Sequence, residues 1–230
     1  MPKRIKAIEA IQKTEKKTDY EFIAQIGIVA VLVLLLVYNF GRITAKGANT
    51  SENAASAISS VSASEIIPTG KPRIYGNELG ISYDDVNAQN QKLADSTINV
   101  LGSLDTSINL EGAELQRYIS IGSLISCEYC CGAESIIFPN GQAACGCAHS
   151  YAMRGLAKYL IKNHGTEFTD DQILEELGKW KVLFFPEIHQ TKAAVLKSKG
   201  IELNYINLAS NKYRGIEQGA SASGGMVGGC

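Results

Sequence analysis

Residues 127–149, CEYCCGAESIIFPNGQAACGCAH, hold five of the six cysteines of this chain and decide how its body is organised. The cysteines form two short groups, at 127–131 and at 145–147, on either side of a spacer rich in turn residues. The Cys-x-x-Cys spacing of the first group suits two thiolates that share one metal ion, and the glycine within the second allows a close backbone approach. The stretch predicts a body in which two cysteine turns are joined.

The spacing favours one metal site with four sulfur ligands, Cys127, Cys130, Cys145 and Cys147. Four thiolates complete the tetrahedron that zinc prefers, and zinc is the most frequent ion in closed sites of this kind. Copper(I) and an iron–sulfur cluster also accept sulfur ligands and remain alternatives to zinc. Cys131 and His149 are predicted to act as alternative ligands or to lie beside the site.

Two other uses of the cysteines compete with metal binding. Thiols that face an oxidising compartment tend to pair, so disulfides from Cys127 to Cys145 or Cys147 would give a stapled envelope scaffold without metal. Cys127 and Cys130 also have the spacing that lowers a thiol pKa in thiol–disulfide oxidoreductases, but no βαβ pattern surrounds them. The chain carries neither a nucleophile elbow nor a zinc-protease motif, so an enzymatic function is not favoured.

Residues 22–40, FIAQIGIVAVLVLLLVYNF, carry no charge and predict one transmembrane helix. A helix of this length crosses the roughly 30 Å of hydrocarbon in a bilayer. Six basic residues precede the stretch and two follow it closely, so the N-terminus is predicted to face the cytoplasm and the C-terminal part to lie outside the cell membrane. The stretch is long for a cleaved signal peptide and therefore predicts a permanent single-pass anchor.

Composition divides the rest of the chain. We expect a basic cytoplasmic tail at 1–21, a flexible linker at 41–73, a small helical domain at 74–208, and a disordered Gly-rich tail at 209–230 that ends in Cys230. The 22 basic and 23 acidic residues give a net charge of -1, which offers no overall attraction to nucleic acid. The predicted partners are the lipid bilayer and another envelope protein.

Apolar periodicity and capping signals make the domain mainly α. Helices are predicted from Ser82 through Leu104, then over 111–121, 149–163, 169–186 and 187–199. Residues 201–208 have some strand character but no evident partner strand. On the third of these helices Arg154, Lys158 and Lys162 recur every four residues, which predicts a solvated basic face.

Two segments of the chain resemble known envelope proteins. CEYCCGAESIIFPNGQAACGCAHSYAMRGLAKYL at 127–160 and ELGKWKVLFFP at 176–186 look like the core of membrane-anchored archaeal proteins with a Cys-Gly-Cys signature. The chain is also similar to the bacterial family named for its PCYCGC motif, although the equivalent AACGC at 143–147 lacks the first cysteine. The resemblance covers residues 77–190 and implies an exported, metal-binding module without implying a reaction.

Overall fold

A computed structural model describes residues 23, 25–35, 61–220 and 225–229. The chain divides into two compact units, Met1–Ala57 and Ile58–Cys230. In the first unit residues 25–35 form helix α1, whose side chains are exposed although most are apolar. Within the described ranges no helix is both long and apolar enough to cross a membrane. Several residues of the predicted span 22–40 lie outside those ranges, so the anchor stays a prediction.

The second unit is mainly helical, as the sequence predicts. Its α-helices in the described part of the chain are α2 (Gly76–Leu79), α3 (Gln91–Ser107), α4 (Gly112–Gly122), α5 (Ala148–His164), α6 (Asp170–Phe184), α7 (Pro186–Ser198) and α8 (Tyr205–Ala209). The described residues contain no β-strand. Two isolated antiparallel bridges are present, Ile125 with Ser210 and Ile137 with Ala143.

Local capping chemistry sets the ends of the later helices. Thr169 and Gln172 form the predicted capping box at the start of α6, and Pro186 opens α7 at a position where a missing N–H costs nothing. Residues 201–208 do not form a strand. Asn204 caps α8 instead, because its side chain accepts from the N–H of Asn207 at 2.8 Å.

The helix predicted from Ser82 begins later than expected. Ser82 caps a short 3-10 turn, Tyr83–Asp85, and the chain then leaves helical geometry at Val86. Asn90 supplies a second cap, accepting from the Leu93 N–H at 3.2 Å, and α3 begins after it. The predicted helix is therefore confirmed from residue 93 onward, but it begins after the cap at Asn90 and not after Ser82.

Helices α3 and α5 touch along their backbones at the centre of the core. A Cβ on Gly155 of α5 would clash with the Leu101 carbonyl oxygen and come within 2.9 Å of the Asp105 nitrogen. On α6, Trp180 is buried and its indole N–H donates to the Tyr75 hydroxyl at 2.8 Å. These helices form the support on which the cysteine turns pack.

The core of the helical unit also includes residues that precede and follow the predicted domain, 74–208. Val61, Ile66 and Val227 are each at most 2% exposed. The backbone N–H of Val227 donates to the Phe184 carbonyl at 2.9 Å, and the next N–H donates to the Gln91 side chain at 2.8 Å. The segment 225–229 is thereby held against α3 and α6.

The basic stripe on α5 is not a solvated face, and that prediction is wrong for Arg154. Arg154 is 1% exposed, and its guanidinium donates to Asp105 Oδ2 at 2.7 Å and to the Cys145 carbonyl at 2.8 Å. Lys158 pairs with the same carboxylate at 2.7 Å, whereas Lys162 is half exposed. The cysteine loop folds back over this side of α5 and removes Arg154 from solvent.

Candidate metal centre

The two cysteine turns meet at the N-terminus of α5, where their sulfur atoms converge. Cys147 Sγ lies 3.3 Å from Cys127 Sγ and 3.5 Å from Cys145 Sγ. Cys131 and Cys145 form a disulfide. The sulfurs of Cys127, Cys131 and Cys147 lie within 4.8 Å of one another, and this three-sulfur group could hold a metal ion. Zinc–sulfur bonds of about 2.3 Å hold tetrahedral sulfurs about 3.8 Å apart, which the group can match with small adjustments.

The predicted ligands are distributed around this group. Cys127 and Cys147 belong to it, together with Cys131, which the sequence indicated as an alternative ligand. Cys130 is half buried and hydrogen-bonds to Cys147. Cys145 is not one of the three sulfurs, but its disulfide with Cys131 places its own sulfur beside them.

The first turn explains why Cys131 joins Cys127. The N–H groups of Cys130 and Cys131 donate to the Cys127 carbonyl at 3.4 and 3.3 Å, which winds the segment into one helical turn. Side chains three and four residues apart in such a turn lie on one face, so the turn brings Cys131 to the same side as Cys127. The i, i+4 spacing of Cys127 and Cys131 was the signal in the sequence for this arrangement.

Cys147 is the N-cap of α5. Its backbone is extended, and its sulfur accepts from the Ser150 N–H at 3.4 Å. The unpaired amides and the dipole at a helix N-terminus favour a negatively charged sulfur there. Arg154 holds the backbone just before this cap in place, because its guanidinium donates a hydrogen bond to the Cys145 carbonyl.

The pKa values of Cys147 and Cys127 are shifted in opposite directions. Hydrogen bonds with Cys127, His149 and the Ser150 N–H lower the pKa of Cys147 to about 4 against the opposing effect of burial. The same hydrogen bond, burial and the negative charge of Cys147 raise the pKa of Cys127. At neutral pH the site therefore contains a thiolate at Cys147 beside a protonated Cys127, and a metal ion would displace the remaining proton.

A buried charge cluster lies next to Cys127, centred on Glu128. Three cations approach the Glu128 carboxylate within 4.0 Å, namely Lys181 at 3.0 Å, Lys192 at 3.8 Å and Arg214 at 3.5 Å. Lys181 is fully buried, which lowers its pKa to about 8, and its positive charge favours ionisation of Cys127. The cluster therefore reduces the cost of gathering thiolates in a buried site.

Sequence reasoning missed Lys181 and Glu128. Lys181 lies four residues after Leu177 and three before Phe184, so it occupies the apolar stripe of α6. A lysine at a core position of an amphipathic helix requires a buried partner, which was the available signal. Glu128 gave no comparable signal, because the turn that buries it has no periodic pattern.

His149 lies behind the cap and is held by the tail. Its ring is fully buried and packs on Phe184 and Phe185, with ring centroids 4.7 and 5.1 Å away. Nε2 lies 2.9 Å from the Val227 carbonyl oxygen, which can only accept, so Nε2 donates. The tail thus fixes the orientation of a ring that hydrogen-bonds to Cys147. Cys230 lies outside the described residues.

Comparison of the chain with protein-family models, curated proteins and solved structures finds no match. The cysteine cluster itself is therefore the basis for assigning a function. It offers two kinds of chemistry, metal binding by three converging sulfurs and thiol–disulfide exchange between the Cys147 thiolate and the Cys131–Cys145 disulfide.

Proposed function

We propose that this chain is a membrane-anchored domain that binds one metal ion, zinc in the first place, through Cys127, Cys131 and Cys147. The convergence of these three sulfurs within 4.8 Å at a helix N-terminus carries the proposal. A thiolate at Cys147 is already the protonation state that a soft or borderline metal requires. When reduced, Cys145 offers a fourth sulfur 3.5 Å from Cys147 and completes a tetrahedral site.

We also propose that residues 22–40 anchor the domain in the cell membrane, with the cysteine body outside the cytoplasm. The uncharged stretch and the excess of basic residues before it support this topology. Helix α1 exposes apolar side chains such as Ile28, Val31 and Leu34, as expected of a helix solvated by lipid. The bilayer is then the first partner, and an envelope protein that supplies or receives the ion is the second.

The test is metal analysis of the full chain in detergent micelles, purified with reductant and without added metal. We expect one zinc ion per chain. Cys147→Ser should weaken binding by about 100-fold, because a zinc-binding free energy of roughly 10–16 kcal/mol is shared among four ligands. Cys130→Ser is the matched control and should keep the ion. A metal-free wild type, or equal losses in the two variants, would contradict the proposal.

Thiol–disulfide exchange is the second candidate, favoured by the 3.5 Å approach of the Cys147 sulfur to Cys145. Attack by the Cys147 thiolate would form a Cys145–Cys147 bond and release Cys131 as a thiolate, with no net change in oxidation state. The attacking group is then Cys147, and not the Cys127–Cys130 pair considered from the sequence. Turnover of a disulfide substrate by metal-free protein with glutathione as the reductant, lost in Cys147→Ser, would favour this candidate.

A further inference from the structure

Cys131 has two roles that exclude each other. It is bonded to Cys145 in a disulfide, and its sulfur is also one of the three that could hold a metal. A disulfide sulfur carries no negative charge and is a far poorer ligand than a thiolate. While the disulfide is closed, only Cys127 and Cys147 remain in the three-sulfur group.

We propose that the Cys131–Cys145 disulfide is a redox lock on the metal site. A dithiol opens the lock and allows one zinc ion to bind, and a low-molecular-weight disulfide that re-oxidises the same pair, being itself reduced to two thiols, expels the ion. This inference rests on the proposed metal-binding function and adds its regulation. The amount of bound zinc would then report the redox state of the compartment that the domain faces.

Of the two disulfide cysteines, Cys131 is exposed to solvent and Cys145 is buried. Cys131 is exposed and lies at a surface groove of about 480 Å³, whose wall includes Phe138 and Pro139. Cys145 is 6% exposed and faces the interior of the cluster. An external thiolate therefore reaches the Cys131 sulfur first, and Cys145 becomes the leaving group.

The exchange balances with a dithiol as the reductant. One sulfur of the dithiol bonds to Cys131 as the Cys131–Cys145 bond breaks, and Cys145 leaves as a thiolate. The second sulfur then displaces Cys131, so that the dithiol leaves as a disulfide carrying away the lost electron pair. The two released cysteines bind zinc as thiolates, so that any proton on them passes to solvent when zinc binds.

The turns stay in place when the lock opens, because other contacts hold them. Arg154 donates to the Cys145 carbonyl at 2.8 Å. Arg214 donates to the carbonyls of Gly132 and Ala133, directly after Cys131, at 3.0 Å each. Both arginines belong to segments outside the cysteine loop. Reduction therefore frees two sulfurs without releasing the backbone that carries them.

The test compares zinc affinity in two redox states of the full chain in micelles, by competition with a chromophoric chelator. One sample is reduced with dithiothreitol and the other is oxidised with glutathione disulfide, each reagent being removed before titration. Alkylation and mass spectrometry verify that Cys131 and Cys145 change state while Cys127 and Cys147 remain thiols. We expect zinc to bind at least about 100-fold more tightly to the reduced wild type, since the lock withholds two of four ligands.

The Cys145→Ser variant separates the lock from the site. It keeps Cys127, Cys131 and Cys147 but cannot form the disulfide, so its zinc affinity should be the same after either treatment, measured on protein that mass spectrometry shows to carry no glutathione on Cys131. Lys162→Met, a change at an exposed residue away from the cysteines, should keep the wild-type ratio. A second measurement needs no variant: adding glutathione disulfide to zinc-loaded wild type should release one zinc ion for each Cys131–Cys145 disulfide formed.

The outcomes distinguish the two proposals. Equal zinc affinity of oxidised and reduced wild type, or zinc retained after the disulfide has formed, would refute the lock and leave the metal site standing. A redox-dependent affinity that persists in Cys145→Ser would also refute it. If neither reduced wild type nor reduced Cys145→Ser binds zinc, the metal-binding function itself is refuted.

Discussion

Arg154 connects the helical core to the cysteine loop through one side chain. Its guanidinium is fully enclosed and reaches Asp105 on α3 and the carbonyl of Cys145 in the loop. A buried ion pair adds little stability compared with apolar residues of the same shape, but removing one partner leaves a charge that is poorly compensated. The position of Cys145, and with it the disulfide and the fourth sulfur, therefore depends on a residue outside the site.

Arg154→Met is expected to destabilise the domain by about 3 kcal/mol, because Asp105 keeps only Lys158 as a charged partner and the Cys145 carbonyl loses its donor. The measurement is urea unfolding of the reduced full chain in micelles, followed by the fluorescence of Trp180, the single tryptophan of the chain. Lys162→Met is the control: its exposed pair with Glu114 should contribute less than about 1 kcal/mol. Equal effects of the two changes would contradict this account of Arg154.

At the scale of elements, the contact between α3 and α5 determines how closely the loop can approach the core. Gly155 lets the two backbones meet, and the same stretch of α5 carries Arg154 and the Cys147 cap. Gly102, on α3, lies opposite Tyr151 at ordinary van der Waals distance, 3.4 Å for a Cβ placed there. The close contact of α3 and α5 therefore requires a glycine at position 155 but not at position 102.

Gly155→Ala should lower the free energy of unfolding by at least about 2 kcal/mol, because the added methyl group has no space and the helices must separate. Gly102→Ala should be neutral or stabilising by up to about 1 kcal/mol, since alanine favours the helix and the space is sufficient. Urea unfolding of both variants under the same conditions makes the comparison. A harmless Gly155→Ala would show that the two helices do not meet as described.

The C-terminal end of α5 is joined to α2 by a titratable contact. His164 pairs with Glu167 at 2.7 Å and with Glu78 at 3.0 Å. Burial acts to lower the pKa of His164, but the hydrogen bonds and charges of the two carboxylates outweigh it and raise the pKa above the ordinary 6.5. The contact therefore favours the protonated ring in the folded protein.

We expect His164→Gln to lose more stability at pH 6 than at pH 8.5. A raised folded pKa gives a stabilisation that is fully present below the unfolded value of about 6.5 and is lost as the pH rises through the folded value. Thermal unfolding of wild type and variant at both pH values measures the difference. Glu167→Gln should reduce the same pH dependence in part. A difference that grew with pH would mean that the sign of the pKa shift is wrong.

At the scale of the whole molecule, the chain consists of a compact helical unit and an N-terminal unit that contains α1. Val61 and Val227, near the two ends of the helical unit as the structure describes it, are both buried in its core. The proposed anchor and the proposed metal site thus belong to different units.

Replacing Val31 and Leu34 by lysine should release the chain from membranes. Each lysine at the centre of a spanning helix costs about 2.5–3.5 kcal/mol, enough to prevent stable insertion when two are combined. The measurement is fractionation after alkaline carbonate extraction, with wild type expected in the membrane pellet and the double variant in the supernatant. Lysines at Ser51 and Ser56 control for added charge alone. A wild type that is extracted by carbonate would contradict the proposed anchor.

The sequence by itself determined α4 to α7 and the grouping of the cysteines in two turns. Caps and apolar periodicity act between residues a few positions apart, so Thr169, Pro186 and Gly200 could be interpreted without knowing the fold. The cysteine stretch likewise contains both of its turns within 21 residues, 127–147. Local chemistry was sufficient because the interacting groups are neighbours along the chain.

Only the tertiary structure decided which side chains complete the site. Arg154 and Lys181 are charged residues on helices, and nothing within their own helices buries them. They leave solvent because the cysteine loop and the segment around Ala209 cover them, and those segments lie nine or more residues away along the chain. Burial depends on which elements pack together, and it is burial that turns these cations into partners of the cysteine loop.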